Sequence, residues 1–119
     1  MKNFRDLRIW QKAHQLTLNI YGITKHFPKE EVYGLINQMR RSSSSIPTNI
    51  AEGCGRDSDA ELSRFLSIAL GSASELEYQL ILTNDLQYID LPTYEKLIAG
   101  AIEVKKMLGA FIVRLKADW

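Results

Sequence analysis

Few side chains in this 119-residue sequence could serve a catalytic centre, which needs a nucleophile, a base and a group that orients them. The single cysteine, Cys54, stands just before Gly55, and the two histidines, His14 and His26, lie elsewhere in the chain. His14 borders an apolar helical strip, as a packed or interface histidine would. His26 follows Lys25 near an expected helix end, where it complements the negative terminus. No spacing singles out a Cys–His pair. Di-iron bundles use Glu-x-x-His pairs on two helices, and no glutamate here has a histidine three residues on. Glu75 and Glu77 are two apart, so on a helix they diverge by about 200° and cannot share an ion. Gly53-Cys54-Gly55-Arg56 is too short to count as a phosphate-binding glycine loop. The expectation is a non-catalytic protein without a metal or cofactor.

Charge offers more. The formal net charge is +1, but residues 1–41 carry eight Lys or Arg against three Asp or Glu. Residues 42–90 carry two against eight. Basic helices beside an acidic one inside a single bundle would give this pattern. A face for nucleic acid would give it too, with Arg40 and Arg41 first and Lys2, Arg5, Arg8 and Lys12 as a secondary set. Trp10, Tyr21, Phe27 and Tyr33 lie among those cations and could stack on bases. A dedicated nucleic-acid binder more often carries a basic excess over its whole domain. The alternative is a protein–protein scaffold with no nucleic-acid binding, whose acidic rim would use Asp57, Asp59 and Glu61. Glu77, Lys105, Arg40 and Asn49 fall where apolar residues are expected. They read either as polar locks that fix helix register or as the lining of a pocket.

The elements that must position these residues are helical throughout. Asn3 caps a first helix from Arg5 to about Lys25, with the seam Ile9, Ala13, Leu16, Ile20, Ile23 and Phe27 spaced by four and three. Leu7, Trp10, Leu18 and Tyr21 add a second strip. A second helix begins at Pro28 and runs to Glu52, where Gly53-Cys54-Gly55 suits a left-handed stop. Its inner face is Val32, Ile36, Met39, Ser43, Ile46 and Ile50. Pro47 falls inside it, removing a backbone donor and predicting a kink. Its opposite face, including Gly34, Gln38, Arg41, Ser45 and Glu52, is either solvated or a close contact between helices. Ser58 and Glu61 form a capping box for a third helix reaching about Tyr88. Asp90 caps a fourth, with Pro92 in its first turn and an apolar face from Leu97 to Leu115.

One all-α domain over residues 1–119 results, an up-down-up-down antiparallel four-helix bundle with a proline-kinked second helix. Helices one and four are apolar around too much of their girth for a lone subunit, which predicts a homo-oligomer. No segment approaches the roughly 20 apolar residues of a membrane span. The N-terminus has no secretion signal, and one cysteine permits no internal disulfide, so the expected location is cytoplasmic.

Five segments carry a resemblance to a known family. They are Phe4–Ala13, Phe27–Leu35, Gln38–Arg41, Ser45–Gly53 and Glu75–Leu80. With Arg40-Arg41 followed by Ile46-Pro47-Thr48-Asn49-Ile50-Ala51-Glu52-Gly53, the chain resembles bacterial four-helix-bundle proteins encoded in intervening sequences of 23S ribosomal RNA genes. The match runs from Phe4 to about Leu115. The resemblance implies a left-handed bundle assembled into a ring-like homopentamer. It also implies kinship with the accessory variability proteins of diversity-generating retroelements, pentamers that bind nucleic acid and a reverse transcriptase. By that resemblance the partners are further copies of the chain and RNA or a ribonucleoprotein. The chain departs from the accessory proteins in being nearly neutral, and Ser42–Ser45 is richer in serine than the small apolar run usual before the Ile-Pro.

Overall fold

In the computed structural model, which describes residues 2–117, four helices account for most of the chain: α1 Arg8–Thr24, α2 Asn37–Cys54, α3 Asp59–Asp85 and α4 Leu91–Ala117. Cross-helix contacts give their directions. Thr17 and Thr24 of α1 meet Ser43 and Arg40 of α2, so the residue numbers run oppositely. Ser42 and Ser45 of α2 meet Gln79 and Ser72 of α3 in the same sense. Lys12 of α1 pairs with Glu103 of α4, and Leu16 packs against Gly100. The product is an antiparallel up-down-up-down bundle 46 Å long and 23 by 20 Å across.

The predicted seam of α1 is the wall of the core: Ile9, Ala13, Leu16, Ile20 and Phe27 are buried, and Ile23 is partly so. From α2 come Met39, Ile46 and Ile50, from α3 Leu66, Ala69, Ala73, Leu76 and Leu80, and from α4 Ala101, Val104 and Leu108. Burying an aliphatic side chain stabilises by about 1.5–3 kcal/mol. These residues recur at three- and four-residue spacing, and their burial holds the helices in place.

Boundaries differ from expectation at four points. Phe4–Asp6 is a separate 3₁₀ turn, capped by the Asn3 side chain, and extended Leu7 then leads into α1. The second helix does not start at Pro28. Lys29–Glu31 is a 3₁₀ turn, and Val32–Ile36 is a wide π-type turn broken at Gly34, with φ −110° and ψ −111°. Val32, expected inside, is therefore exposed. The Glu31 carboxylate accepts from the Leu35 N–H at 3.3 Å. A β-carbon on Gly34 would stand 2.9 Å from that carboxylate, so glycine admits the contact.

Pro47 lies buried within α2, which is helical from Asn37 to Cys54, and the preceding turn has non-helical φ/ψ at Gly34. Gly53-Cys54-Gly55 adopts no left-handed stop, since Gly55 has φ −84° and no glycine among the described residues has a positive φ. Gly53 serves packing: an added β-carbon would lie 2.9 Å from both Leu62 Cδ1 and Phe65 Cβ. Ser58 accepts from the Glu61 N–H at 3.1 Å, as a cap should. The Glu61 carboxylate turns to Arg64 at 3.1 Å, so only half of the capping box forms. α3 ends at Asp85, and Gln87 takes the positive φ (62°) in the link to α4. Asp90 caps α4 through the Thr93 N–H at 2.8 Å.

Candidate nucleic-acid interface and the polar groove beside it

The basic candidates separate into two groups. Lys2, Arg5 and Arg8 are exposed at one end, where the Lys2 N–H donates to the Cys54 carbonyl at the end of α2. Arg5 lies 5.1 Å from the Phe4 ring centroid. Lys12, one turn on, is held by Glu103 at 3.0 Å. Arg40 and Arg41 sit about 20 Å away along α2 at 1.5 Å per residue. The fold thus does not merge the two sets into one patch on a single subunit.

Arg40 and Arg41 also differ from each other. The Arg40 Nε donates to Thr24 Oγ1 at 2.9 Å, and its guanidinium stacks over Tyr21 at 4.8 Å. Arg40 therefore ties α1 to α2 and is half-buried. Arg41 is exposed and, among the described residues, takes part in none of the ion pairs. It lines a polar groove of about 230 Å³ between α2 and α3, opposite Glu75 and flanked by Gln38, Ser45 and Ser72.

The groove floor is a buried polar seam. Ser42 Oγ lies 2.6 Å from Gln79 Oε1, with both residues buried. Ser45 and Ser72 hydroxyls meet at 2.8 Å, and Asn49 Nδ2 donates to the Ser45 carbonyl at 2.8 Å. The small polar face of α2 is thus partly a close helix–helix contact, and Asn49 acts within it. Serine allows the backbones to approach while its hydroxyl is satisfied across the interface. Glu52, at the end of the same helix, is exposed and pairs with Arg56 at 3.4 Å.

Glu77 and Lys105 join α3 to α4 at 2.8 Å, which supports the polar-lock reading. Cys54 is buried, and desolvation pushes its thiol up, opposed more weakly by the Lys2 charge. His14 is exposed and stacked on Trp10 at 4.9 Å. No cluster of His, Cys, Asp or Glu among the described residues could hold a metal ion. At the acidic loop, Asp57 and Asp59 are exposed, and the Arg64 hydrogen bond holds the Glu61 carboxyl below its usual range.

Two cations missed by sequence reasoning, Lys25 and Lys29, share a cleft with Arg40 at the α1–α2 turn. Their signal was present as charge, but their convergence depends on the 3₁₀ and π-type turns.

Four helices in antiparallel sequence, closed by the α1–α4 contact, define a small up-and-down four-helix-bundle protein. Residues 5–110 match the model of the 23S rRNA-intervening sequence protein family, and the chain belongs to that family. A similar solved structure is that of a protein with unknown function from the S23 ribosomal protein family of Bacteroides thetaiotaomicron. It is 30% identical, with a TM-score of 0.82 over 87% of this chain and 97% of that one. No curated protein matches the sequence. No described helix is long and apolar enough to cross a membrane.

Proposed function

We propose that the protein is a non-catalytic, cytoplasmic homo-oligomer, by its family resemblance a pentamer, that associates with RNA or a ribonucleoprotein. The observation that carries the oligomer is apolar surface left bare on three helices. On α1 these residues are Leu18 and Tyr21; on α3, Ile68, Tyr78 (62% exposed) and Ile81; on α4, Ile102 and Val113 (68%). α4 buries most of its wide apolar face within the bundle, and α3 contributes more bare surface than its sequence suggested. Large apolar side chains repeated along outer faces favour burial against another copy.

RNA association is supported by exposed Lys2, Arg5, Arg8 and Arg41. Assembly multiplies each subunit's two separated basic groups around a ring, so a near-neutral chain still presents repeated cations. The test is a gel-shift titration with ribosomal RNA fragments, beside light scattering. A mass several times 13.6 kDa is expected, together with affinity falling by nearly one log unit per tenfold rise in salt for each phosphate contact. A 13.6 kDa particle at micromolar concentration defeats the assembly, and absence of RNA affinity at low salt defeats the RNA reading. A nuclease-insensitive protein partner would instead favour the scaffold.

A further inference from the structure

We infer that the cleft at the α1–α2 turn is a binding site for a phosphate monoester whose organic part is apolar or planar. The cleft is open to solvent on one side and has a volume of about 310 Å³, the lower end of the range for small-molecule sites. Lys25, Lys29 and Arg40 line it, and no carboxylate does. Phe27, Val32 and Ile36 supply an apolar wall. Cations converging beside such a wall suit a ligand with an anionic head and an unsaturated or aliphatic body.

The arrangement is built by the surrounding fold. The Thr24 hydroxyl, itself buried, accepts from Arg40 Nε, and the Tyr21 ring supports the guanidinium plane. A fixed guanidinium offers its remaining N–H groups to phosphate with little ordering cost. The nearest acidic neighbours in sequence are Glu30 and Glu31. Glu31 is drawn off by the Leu35 N–H and by the Tyr88 hydroxyl, which donates to it at 2.9 Å. Among the described residues, none of the three cleft cations has an ion-pair partner. Glu31 is thereby engaged by Leu35 and Tyr88, and the cleft lining carries three cations and no carboxylate.

A nucleoside 5′-monophosphate has this chemistry, either free or as the 5′ end of an RNA strand. The cleft shares Arg40 with the basic set expected from the sequence but includes neither exposed Arg41 nor the N-terminal cations. Its free-nucleotide arm is independent of the RNA reading above, and its strand-end arm is an RNA contact of its own. The test titrates the full chain with adenosine 5′-monophosphate and adenosine by calorimetry at low salt, using Lys25→Gln/Lys29→Gln and Lys106→Gln. Both cleft lysines are exposed, so the double variant should keep its melting temperature.

The monophosphate should bind saturably at or below millimolar concentration, and loss of its phosphate or of the two lysines should weaken binding by about tenfold or more. Lys106→Gln, on the exposed side of α4, should change nothing. Equal binding of adenosine, indifference to the double variant, or no saturable binding overturns the inference. Short RNAs with a 5′-phosphate or a 5′-hydroxyl distinguish the sources. A phosphate-dependent gain of about tenfold assigns the strand end, and equal affinity with the free monophosphate still bound assigns the free nucleotide.

Discussion

The Thr17 hydroxyl on α1 stands 2.9 Å from the Ser43 carbonyl on α2, the acceptor that Pro47 leaves without its helical donor. In a continuous α-helix the residue-47 N–H would bond the residue-43 carbonyl, and proline has none. Thr17 is buried, and its hydroxyl also lies 2.9 Å from its own helix's Ala13 carbonyl. The single hydroxyl proton has both carbonyls within reach, and its Ser43 arm stands where the donor missing from Pro47 would be.

Thr17→Val keeps the shape and removes the donor. It should destabilise by about 1–3 kcal/mol, the cost of an unsatisfied buried carbonyl. In a Pro47→Ala background a backbone N–H returns to Ser43, so the same substitution should cost less. A double-mutant cycle by chemical denaturation at fixed protein concentration should yield a coupling of about 0.5 kcal/mol or more. Additivity would show that Thr17 does not serve the proline.

Gly53→Ala should destabilise despite alanine's helix preference of about 1 kcal/mol. The new methyl meets Phe65 Cβ, which cannot move without α3, and overpacking of this kind costs about 1–3 kcal/mol. A melting temperature below that of the parent, with helicity intact, is the expected result. A rise would mean that α2 and α3 separate easily.

Glu77→Gln tests the α3–α4 lock. The side chains remain 27% and 33% exposed, so the effect should be modest, about 0.5–1 kcal/mol, and smaller in high salt. Denaturation curves at low and high ionic strength measure it. A loss of several kcal/mol would place the pair in a drier setting than this geometry shows.

Tyr88 gives a pH signature. Its hydrogen bond to Glu31, aided by partial burial and the nearby Glu31 and Glu30 charges, raises the phenol above its ordinary value of 10.0. A raised folded value means stability that is complete below about pH 10 and lost as pH rises through the folded value. Tyr88→Phe should lower stability at neutral pH and remove that portion of the alkaline decline. Matching alkaline profiles in parent and variant would refute the linkage. Asp90 behaves oppositely: Thr93 hydrogen bonds lower its value, so its contribution persists above about pH 3.8 and falls away in acid.

Much of the bundle was legible in residue spacing. Ile9, Ala13, Leu16 and Ile20 recur at helical intervals because one face must meet the core, and all are buried. Ser58 and Asp90 announced helix starts because their side chains replace absent backbone partners. The Arg40-Arg41 and Ile-Pro-x-Asn-Ile-Ala-Glu-Gly residues pointed to the family that the comparison then showed. Gly53 was misread as a left-handed stop: it answers to Leu62 and Phe65 of α3, neighbours that a linear pattern does not contain.

By itself, the sequence determined four helices, their apolar faces and the family, because periodicity and caps are properties of neighbouring residues. Tertiary structure alone decided that the Thr17 hydroxyl meets the carbonyl Pro47 leaves free, and that Arg40, expected near the inner face, is held by Thr24 and Tyr21. It likewise brought Lys25 and Lys29 to Arg40's cleft. Those outcomes depend on distances between residues remote in the chain, set by how helices and turns pack rather than by local preference.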